Sequence, residues 1–466
     1  MDSSVRVRFA PSPTGHLHIG SLRAALFNWL FARHNKGTFL VRVEDTDLVR
    51  SLPEFTQSIL ESLAWASIEP DEPIVIQSSR LEQHKKVIES LLEQGKAYRC
   101  FCPCNQAGSS DEYFKYDGRC RVKSVSASDL EQPFVVRIKI PSELSVITFN
   151  DLIRGPLSFG IDQFDDFIIA RSDGSPIYNF VVVIDDAFMN ITHVIRGEDH
   201  ISNTPKQIIL YQACGFNIPY FAHLPLILGP TGAKLSKRDV ATSVLDYKRN
   251  GYLADALCNY LVRLGWSHGD QEIFTRNELV DFFTLEQVGK KGAIFDQQKL
   301  DWINGTYIRQ TSAEVLYTLI ERDVDNEIFN KLLLLWGQDV IYNLIDLYKE
   351  RAKTLRDIVN ELLLVSISEH AMSVADKEQW FTTHAREILL VVLQTLRLNS
   401  EFSAVTIAAD LKAIAKSYNI KLVQIAQPIR IALIGKTESP GIFDLMALLG
   451  KSEVISRLEK TLANFM

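Results

Sequence analysis

The sequence contains few cysteines, no long apolar run and no excess of basic residues. Six cysteines among 466 residues are too few for a disulfide scaffold. No apolar run approaches the ~18–20 residues that a membrane-spanning helix needs. Internal repeats and low-complexity segments are also absent from the sequence. These absences argue against a small disulfide-rich protein, a membrane-spanning protein and a repeat array.

The charge balance leaves the class of partner open. The net charge of −7 gives no support for a nucleic-acid partner, but RNA binding needs only a local basic surface. A hydrophobic content of 46% with 23% charged residues is typical of a globular enzyme, and the length predicts roughly two to four domains. A strongly patterned segment already begins near Arg8, which leaves no room for a cleaved leader, so we expect a cytoplasmic protein.

The segment from Val5 to Val43 has the pattern of a strand, a turn, a helix and a second strand. Residues 5–9 alternate and are β-branched, whereas two prolines and Gly15 predict a turn. Apolar residues then recur at helical spacing from Ser21, a suitable N-cap, and Gly37 ends the pattern. Residues 38–43 predict the next strand.

The turn before this helix carries residues suited to bind phosphate. Free backbone N–H groups and the helix dipole attract anions to a helix N-terminus. His18 can donate a hydrogen bond to a phosphate oxygen, and Gly20 lets a ligand approach the backbone. Taken alone, an ordinary strand–turn–helix connection with a chance pair of histidines accounts for this segment equally well.

A basic cluster, KLSKR, occupies residues 234–238. It follows an apolar strand predicted at 223–228 and a turn at 229–232. Three cations within five residues suit a polyanion, and we expect Lys237 to contact phosphates as charge develops. The spacing of glycine and lysine differs from that of a Walker A loop. A solvated surface loop is the simpler alternative when the cluster is taken alone.

Together, in this order, residues 11–21 (PSPTGHLHIGS) and 234–238 resemble the HIGH and KMSKS motifs of class I aminoacyl-tRNA synthetases. Residues 8–12 (RFAPS) and 43–47 (VEDTD) narrow the resemblance to the bacterial-type glutamyl-tRNA synthetases, and it covers the whole chain. A non-catalytic tRNA-binding paralogue is the alternative, but it would be free to lose His18, Gly20 or Lys237, and all three are present.

The alternation of elements predicts an α/β domain that is interrupted by an insertion and followed by helices. The resemblance implies a Rossmann-like catalytic domain with a mixed α/β insertion and an all-α C-terminal half. Its domains would be the catalytic domain at 1–80 plus 186–230, the acceptor-end insertion at 81–185, a stem-contact region with the KLSKR loop at 231–310, and a helical anticodon-binding region at 311–466.

The resemblance also implies site residues. His18, Lys234 and Lys237 would be catalytic, and ATP would be bound by Pro11, Thr14, Gly15, His18, Gly20, Ser21, Leu235, Ser236, Lys237 and Arg238. Glutamate would be bound by Arg8, Ala10, Ser12, Glu44, Tyr178 and Arg196. In charge terms, Arg8 can grip the side-chain carboxylate of glutamate and Glu44 can pair with its ammonium. The alternatives are an outward-facing Arg8, sharing a face with Arg6, and a surface ion pair of Arg196 with Glu198.

The family reaction attaches glutamate to tRNA(Glu) through a glutamyl-adenylate and consumes ATP with Mg²⁺. The resemblance implies a monomer with no membrane partner, and leaves open whether tRNA(Gln) is charged as well. Arg430 matches a family stretch near the anticodon loop, where single-stranded bases are read. A helix cap with solvated charges is an equally good interpretation of that stretch.

Four cysteines cluster between residues 100 and 120. Cys100, Cys102, Tyr116 and Cys120 match a zinc element, Cys-x-Cys…Tyr-x-x-x-Cys-x-His, of some glutamyl-tRNA synthetases. Thiolates are preferred zinc ligands, and Cys104 is an additional candidate. Val122 stands where the histidine would be, so a set of reduced thiols remains the alternative. We expect the other two cysteines, Cys214 and Cys258, to be core residues.

Overall fold

The computed structural model describes residues 4–47, 50–102, 116–126, 128–233, 235, 243–324, 326–370 and 373–463. The chain divides into two compact units. The first comprises Met1–Asp246 and Leu257–Gln297, and the second comprises Tyr247–Ala256 and Gln298–Met466. No helix within the described ranges is both long and apolar enough to cross a membrane.

The first unit alternates strands and helices. Its strands are β1 (Arg6–Phe9), β2 (Thr38–Val43), β3 (Val75–Ile76), β4 (Ala97–Cys100), β5 (Val135–Ile138), β6 (Val146–Asp151), β7 (Gly155–Gly160), β8 (Ile168–Ala170), β9 (His193–Gly197), β10 (Tyr220–Leu224), β11 (Ile227–Leu228) and β12 (Ala293–Ile294). Its helices are α1 (Ile19–His34), α2 (Pro53–Trp65), α3 (Leu81–Glu93), α4 (Tyr178–Phe188), α5 (Thr204–Cys214) and α8 (Arg276–Phe282), while α6 (Val244–Arg249) and α7 (Ala254–Arg263) run across the division of the units.

Seven strands form one sheet in the order β3-β2-β1-β9-β10-β6-β7. All neighbouring pairs are parallel except β6 with β7. The chain builds outward from β1 to β3 on one side and from β9 to β10 on the other, so the strand order reverses between β1 and β9. Open α/β sheets bind ligands beyond the carboxyl ends of their strands at such a reversal. This topology confirms the predicted Rossmann-like core.

Helix α1 begins three residues earlier than the sequence suggested. His18 is its N-cap, with an extended backbone and a side chain that accepts a hydrogen bond from the backbone N–H of Ser21. Ser21 therefore lies inside the first turn, because an imidazole nitrogen supplies the acceptor that a serine hydroxyl usually provides. The helix ends at His34, before Gly37. Gly37 is required for a steric reason, because a Cβ there would lie 2.3 Å from the carbonyl oxygen of Val5.

The apolar segment at 223–228, predicted as one strand, is two strands interrupted by Pro225. Proline lacks the N–H that a ladder needs and restricts the residue before it, so β10 ends at Leu224. The following β11 pairs with β12 in a separate two-stranded sheet. The segment after β10 therefore departs from the large sheet at the edge where the parallel strands have their carboxyl ends.

The segment at 81–185 contributes to two sheets. β4, β5 and β8 form a three-stranded antiparallel sheet. The predicted turn at 172–175 follows β8, where the N–H of Arg171 donates to the carbonyl of Ser175 at 2.8 Å. β6 and β7 instead extend the large sheet, through parallel pairing of Asp151 with Phe221.

Among the described residues, the regular elements of the second unit are all helices, as predicted. It holds α9 (Gln297–Gln310), α10 (Ala313–Asp323), α11 (Asn326–Trp336), α12 (Gln338–Lys349), α13 (Leu355–Ser366), α14 (Val374–Trp380), α15 (Thr383–Leu398), α16 (Ala404–Ser417), α17 (Val423–Ile434), α18 (Ile442–Leu449) and α19 (Lys451–Ala463). Thr354 and Ser403 open α13 and α16 with capping boxes. The buried Arg457 donates to the carbonyls of Val365 and Leu433, which satisfies acceptors at the C-terminal ends of α13 and α17.

Candidate active site

A cavity of about 810 Å³ lies at the carboxyl ends of the parallel strands. It is lined by residues from the β1–α1 turn, from β9 and α4, and from the segment after β10. Every described residue that was predicted to bind ATP or glutamate lines it: Arg8, Ala10, Pro11, Ser12, Thr14, Gly15, His18, Gly20, Ser21, Glu44, Tyr178, Arg196 and Leu235. The sheet topology thus brings together residues that are up to 227 positions apart in the sequence (8 to 235).

The basic cluster reaches the cavity through one described residue. Lys234, Ser236, Lys237 and Arg238 lie outside the described residues. The predicted turn before them is present, since the N–H of Gly232 donates to the carbonyl of Gly229 at 2.9 Å. Leu235 then donates to the carbonyl of Ile227 at 3.1 Å and lines the cavity. Leu235, the second residue of the cluster, is therefore fixed at the cavity wall.

The N-terminus of α1 opens into the cavity. The Nδ1 atom of His18 accepts from the N–H of Ser21 at 3.2 Å, and its Nε2 atom lies 3.1 Å from the Ser21 hydroxyl. Because Nδ1 is an acceptor, a neutral His18 carries its proton on Nε2. The proton on Nε2 lies beside the Ser21 hydroxyl, and the backbone N–H groups of the first turn face the cavity, where a helix N-terminus suits an anion.

Arg8 is buried rather than outward-facing. Its Nε donates to Asp186 Oδ1 at 3.0 Å, and the same oxygen accepts from Arg42 Nη1 at 2.6 Å. Arg42 Nη2 donates to Glu44 Oε1 at 3.0 Å. Arg6, two residues earlier on the same strand face, pairs instead with Glu72 near the surface. Alternation along the strand predicts the same face for both arginines. It does not reveal that Arg8 lies at the depth of the cavity and Arg6 near the surface.

This buried network shifts the pKa values of Glu44 and Asp186 in opposite directions. Burial raises the pKa of Glu44, and Arg42 and Arg8 offset that effect only in part. Burial also opposes ionisation of Asp186, but Arg8 and Arg42 hold its pKa below the ordinary value. Sequence reasoning missed Arg42 and Asp186. The sequence does contain a sign of each residue. Arg42 is a charged residue within an apolar strand, and Asp186 belongs to an acidic pair, 185–186, within an apolar helix.

Arg196 is also buried and does not pair with Glu198. Its Nε donates to His223 Nε2 at 3.2 Å and its Nη2 donates to the Thr204 hydroxyl at 2.8 Å. Glu198 pairs with Arg154 instead. Burial lowers the pKa of Arg196 to about 10. Its Nη1 is buried and has no hydrogen-bond partner among the described residues, so one face of the guanidinium remains available to an anion in the cavity.

Tyr178 and His200 also line the cavity. The Tyr178 hydroxyl lies 3.3 Å from His200 Nδ1. Burial, with a smaller contribution from Glu44, raises the pKa of Tyr178 to about 12. Burial and the nearby Arg196 lower the pKa of His200 to about 4. Both side chains are therefore neutral at neutral pH, and the charged groups lining the cavity are carboxylates and guanidiniums.

The cysteine cluster lies away from the cavity, at the end of β4. The Sγ atoms of Cys100, Cys102 and Cys120 all lie within 4.8 Å of one another. The Tyr116 hydroxyl lies 3.4 Å from Cys100 Sγ and accepts from the N–H of Cys120 at 2.9 Å. Burial and the hydrogen bond with Cys120 raise the pKa of Cys102 to about 11. Val122 is 89% exposed and points to no ligand position, while Cys104 lies outside the described residues.

Arg430, in the second unit, is engaged within its own unit. Its Nε donates to the Ser439 hydroxyl at 2.7 Å, and its Nη1 donates to Gln427 Oε1 at 2.9 Å and to the carbonyl of Thr437 at 3.2 Å. These bonds fasten the loop at 435–441 against α17. Burial lowers the pKa of Arg430.

The comparisons with known proteins agree with the Rossmann-like core described above. Residues 4–302 match the family model of the catalytic domain of class I tRNA synthetases (E and Q), and residues 311–462 match that of an anticodon binding domain. The chain belongs to the class I tRNA synthetases of the glutamate and glutamine (E and Q) family.

Its relatives match over nearly their whole length. The chain is 44% identical to a glutamate--tRNA ligase of Thermodesulfovibrio yellowstonii, over 98% of this chain and 99% of the relative. It is 43% identical to the ligase of Geobacter sulfurreducens, over 99% of each chain. The crystal structure of a glutamate tRNA ligase from Elizabethkingia meningosepticum in complex with its amino acid superposes with a TM-score of 0.88, at 32% identity over 100% of both chains.

Proposed function

We propose that this protein is a glutamate--tRNA ligase, acting in the cytoplasm as a monomer. It attaches glutamate to tRNA(Glu) in two steps, with release of pyrophosphate and AMP. The observation that carries the proposal is the charge pattern of the cavity. Three buried arginines, Arg8, Arg23 and Arg196, and one buried carboxylate, Glu44, line the same space. Arg23 donates from both Nη atoms to the carbonyls of Leu264 and Pro225, which leaves Arg8 and Arg196 to meet a ligand. Glutamate offers the complementary set of two carboxylates and one ammonium, and Arg8 suits the side-chain carboxylate.

The ATP subsite in this proposal is the β1–α1 turn. The backbone N–H groups at the start of α1 and the Nε2–H of His18 would face the phosphates of ATP–Mg²⁺. Pro11, Thr14, Gly15, Gly20 and Ser21 line the same part of the cavity. Lys234 and Lys237, with Ser236 and Arg238, would neutralise the leaving pyrophosphate from the loop that Leu235 anchors.

The chemistry requires no protein nucleophile. The α-carboxylate of glutamate attacks the α-phosphorus of ATP, the bond to the β-phosphate breaks, and pyrophosphate leaves. A ribose hydroxyl at the 3′ end of tRNA then attacks the carbonyl of glutamyl-adenylate and AMP leaves. The side chains described above hold the reactants in place and balance their charge, which is how catalysis is achieved without a covalent enzyme intermediate.

The proposal is tested by ATP–pyrophosphate exchange with glutamate, glutamine or aspartate, each with and without tRNA, followed by identification of the charged tRNA. We expect exchange with glutamate and charging of tRNA(Glu). Charging of tRNA(Gln) in the same assay would identify a non-discriminating enzyme. A folded protein that binds tRNA but shows no exchange would contradict the proposal and identify a non-catalytic paralogue.

Two arginines on one strand provide a matched pair for the amino-acid subsite. Arg8→Gln removes a buried cation from the cavity, whereas Arg6→Gln removes an exposed cation two residues away. We expect Arg8→Gln to raise KM for glutamate by about tenfold to a hundredfold, the worth of a charged hydrogen-bonded contact, and Arg6→Gln to leave it unchanged. Equal effects of the two substitutions would remove Arg8 from the amino-acid subsite.

We further propose that Cys100, Cys102 and Cys120 hold a structural zinc ion, with the Tyr116 hydroxyl in the fourth position. The mutual proximity of three sulfur atoms suits a tetrahedral site. When bound, the ion would hold the end of β4 to the segment around Cys120. Elemental analysis should find one zinc per chain, lost in Cys102→Ser and retained in Cys214→Ser, which lies outside the cluster. A purified wild-type chain without zinc would overturn this proposal.

A further inference from the structure

Three buried side chains form a line across the carboxyl ends of three neighbouring strands. Asp151 ends β6, His223 lies near the end of β10 and Arg196 near the end of β9. The distance from Asp151 Oδ2 to His223 Nδ1 is 2.6 Å, and that from His223 Nε2 to Arg196 Nε is 3.2 Å. Asp151 and His223 are almost fully buried, at 1% and 0% exposure, and neither lines the cavity.

The partners of His223 define its tautomer. The ionised Asp151 only accepts, because backbone and imidazole donors hold its pKa below the ordinary value even though burial acts against them. His223 Nδ1 therefore carries the proton. Arg196 Nε–H only donates, so His223 Nε2 must accept. A neutral imidazole protonated on Nδ1 satisfies Asp151 and Arg196, and its Nε2 can also accept from the Thr204 hydroxyl, whose oxygen lies 3.2 Å away. A proton on Nε2 would instead face the Arg196 N–H donor to donor.

Asp151 enforces this arrangement through its second oxygen. Its Oδ1 accepts from the N–H groups of Ile153 at 3.0 Å, Arg154 at 2.8 Å and His223 at 3.3 Å. An asparagine at position 151 would keep its carbonyl oxygen on these three donors and turn its NH₂ group toward His223 Nδ1. His223 would then accept at Nδ1 and carry its proton on Nε2, which opposes Arg196.

We propose that His223, oriented by Asp151, is a positioning residue that fixes the Arg196 guanidinium so that its unpaired Nη1 receives a carboxylate of bound glutamate. This inference rests on the proposed function. Thr204 completes the arrangement, since its hydroxyl accepts from Arg196 Nη2. With Nε and Nη2 both occupied from behind, Arg196 is pre-organised and a ligand loses little side-chain entropy on binding.

Kinetics of the full chain test the inference through Asp151→Asn, His223→Leu and His223→Gln, assayed at saturating tRNA. We expect Asp151→Asn and His223→Leu to raise KM for glutamate by about tenfold to a hundredfold, the worth of a charged hydrogen bond, with KM for ATP unchanged. His223→Gln retains one donor and one acceptor, so it should stay within about threefold of wild type. Asp71→Asn, at an ion pair with Arg33 outside the cavity, is the control for loss of a paired aspartate.

A spectroscopic measurement keeps the inference testable without activity. Long-range ¹H–¹⁵N spectra of the ten histidines, with His223 identified by its loss in His223→Gln, should show Nδ1–H in the wild type and Nε2–H in Asp151→Asn. A wild-type proton on Nε2, or a glutamate KM that Asp151→Asn leaves unchanged, would overturn the inference. If the wild-type chain charges no tRNA, the proposed function fails, and the spectra still decide the tautomer.

Discussion

The buried contact between Arg8 and Asp186 should stabilise the first unit far more than the exposed contact between Arg6 and Glu72. Asp186 Oδ1 accepts two charged hydrogen bonds, at 3.0 Å from Arg8 and 2.6 Å from Arg42. A charged hydrogen bond contributes about 1.5–3 kcal/mol, and a neutral acceptor retains about half of that. Asp186→Asn should therefore lower the free energy of opening by about 1.5–3 kcal/mol.

A second substitution of Asp186 and a control substitution of Glu72 set the upper and lower limits of the expected loss of stability. Asp186→Ala leaves two buried guanidinium groups without this acceptor and should cost about 3–5 kcal/mol. Glu72→Gln breaks an ion pair whose side chains are 22% and 47% exposed, and exposed pairs contribute about 0–1 kcal/mol. The contrast between these pairs depends on burial, since both contain an arginine of β1 and a carboxylate that is distant in sequence.

The assay is hydrogen exchange of the full chain, read by mass spectrometry from peptides that cover β1, β2 and α4. It measures local opening of this part of the molecule, which global unfolding of a two-unit chain would obscure. The expected order of destabilisation is Asp186→Ala, then Asp186→Asn, then Glu72→Gln. If Glu72→Gln and Asp186→Asn opened these peptides equally, burial would not be the source of the difference and the reasoning would be refuted.

Three further predictions concern other parts of the chain. Gly37→Ala should destabilise the protein by about 1–3 kcal/mol in thermal denaturation, because its Cβ would lie 2.3 Å from the Val5 carbonyl oxygen, whereas Gly289→Ala meets only an ordinary contact at 3.6 Å. Stability should fall as pH drops from about 6.5 to about 4, by at most ~1.4 kcal/mol per pH unit, because the unfolded chain protonates His200 in this window and the folded chain, with a pKa of about 4, does not; melting temperatures against pH measure this slope, and His200→Gln should reduce it. Arg430→Gln should speed hydrogen exchange at 435–441 and raise KM for tRNA severalfold while KM for glutamate stays constant, and an unchanged tRNA KM would leave Arg430 a purely structural residue.

The sequence alone determined the fold class, the family and the residues that line the cavity from the first two strands. Alternation predicted β1, a run of strand-favouring residues predicted β2, helical spacing predicted α1, and prolines with Gly15 predicted the turn before α1. These signals are local, because each depends on residues within one element or its flanking turn. The cluster at 234–238 became informative only in combination with the first motif, through the resemblance to a family.

Only the tertiary structure decided which polar side chains hold the site residues in place. Asp186 is 178 residues from Arg8, and His223 is 72 residues from Asp151. Asp151 and His223 meet because β6 and β10, which are distant in the chain, are neighbours in the sheet, whereas Asp186 reaches Arg8 from helix α4. Periodicity describes which face of a strand a residue occupies, but the strand order decides which residues meet there. The depth of the cavity then separates Arg8 from Arg6, although the sequence gives both arginines the same strand face.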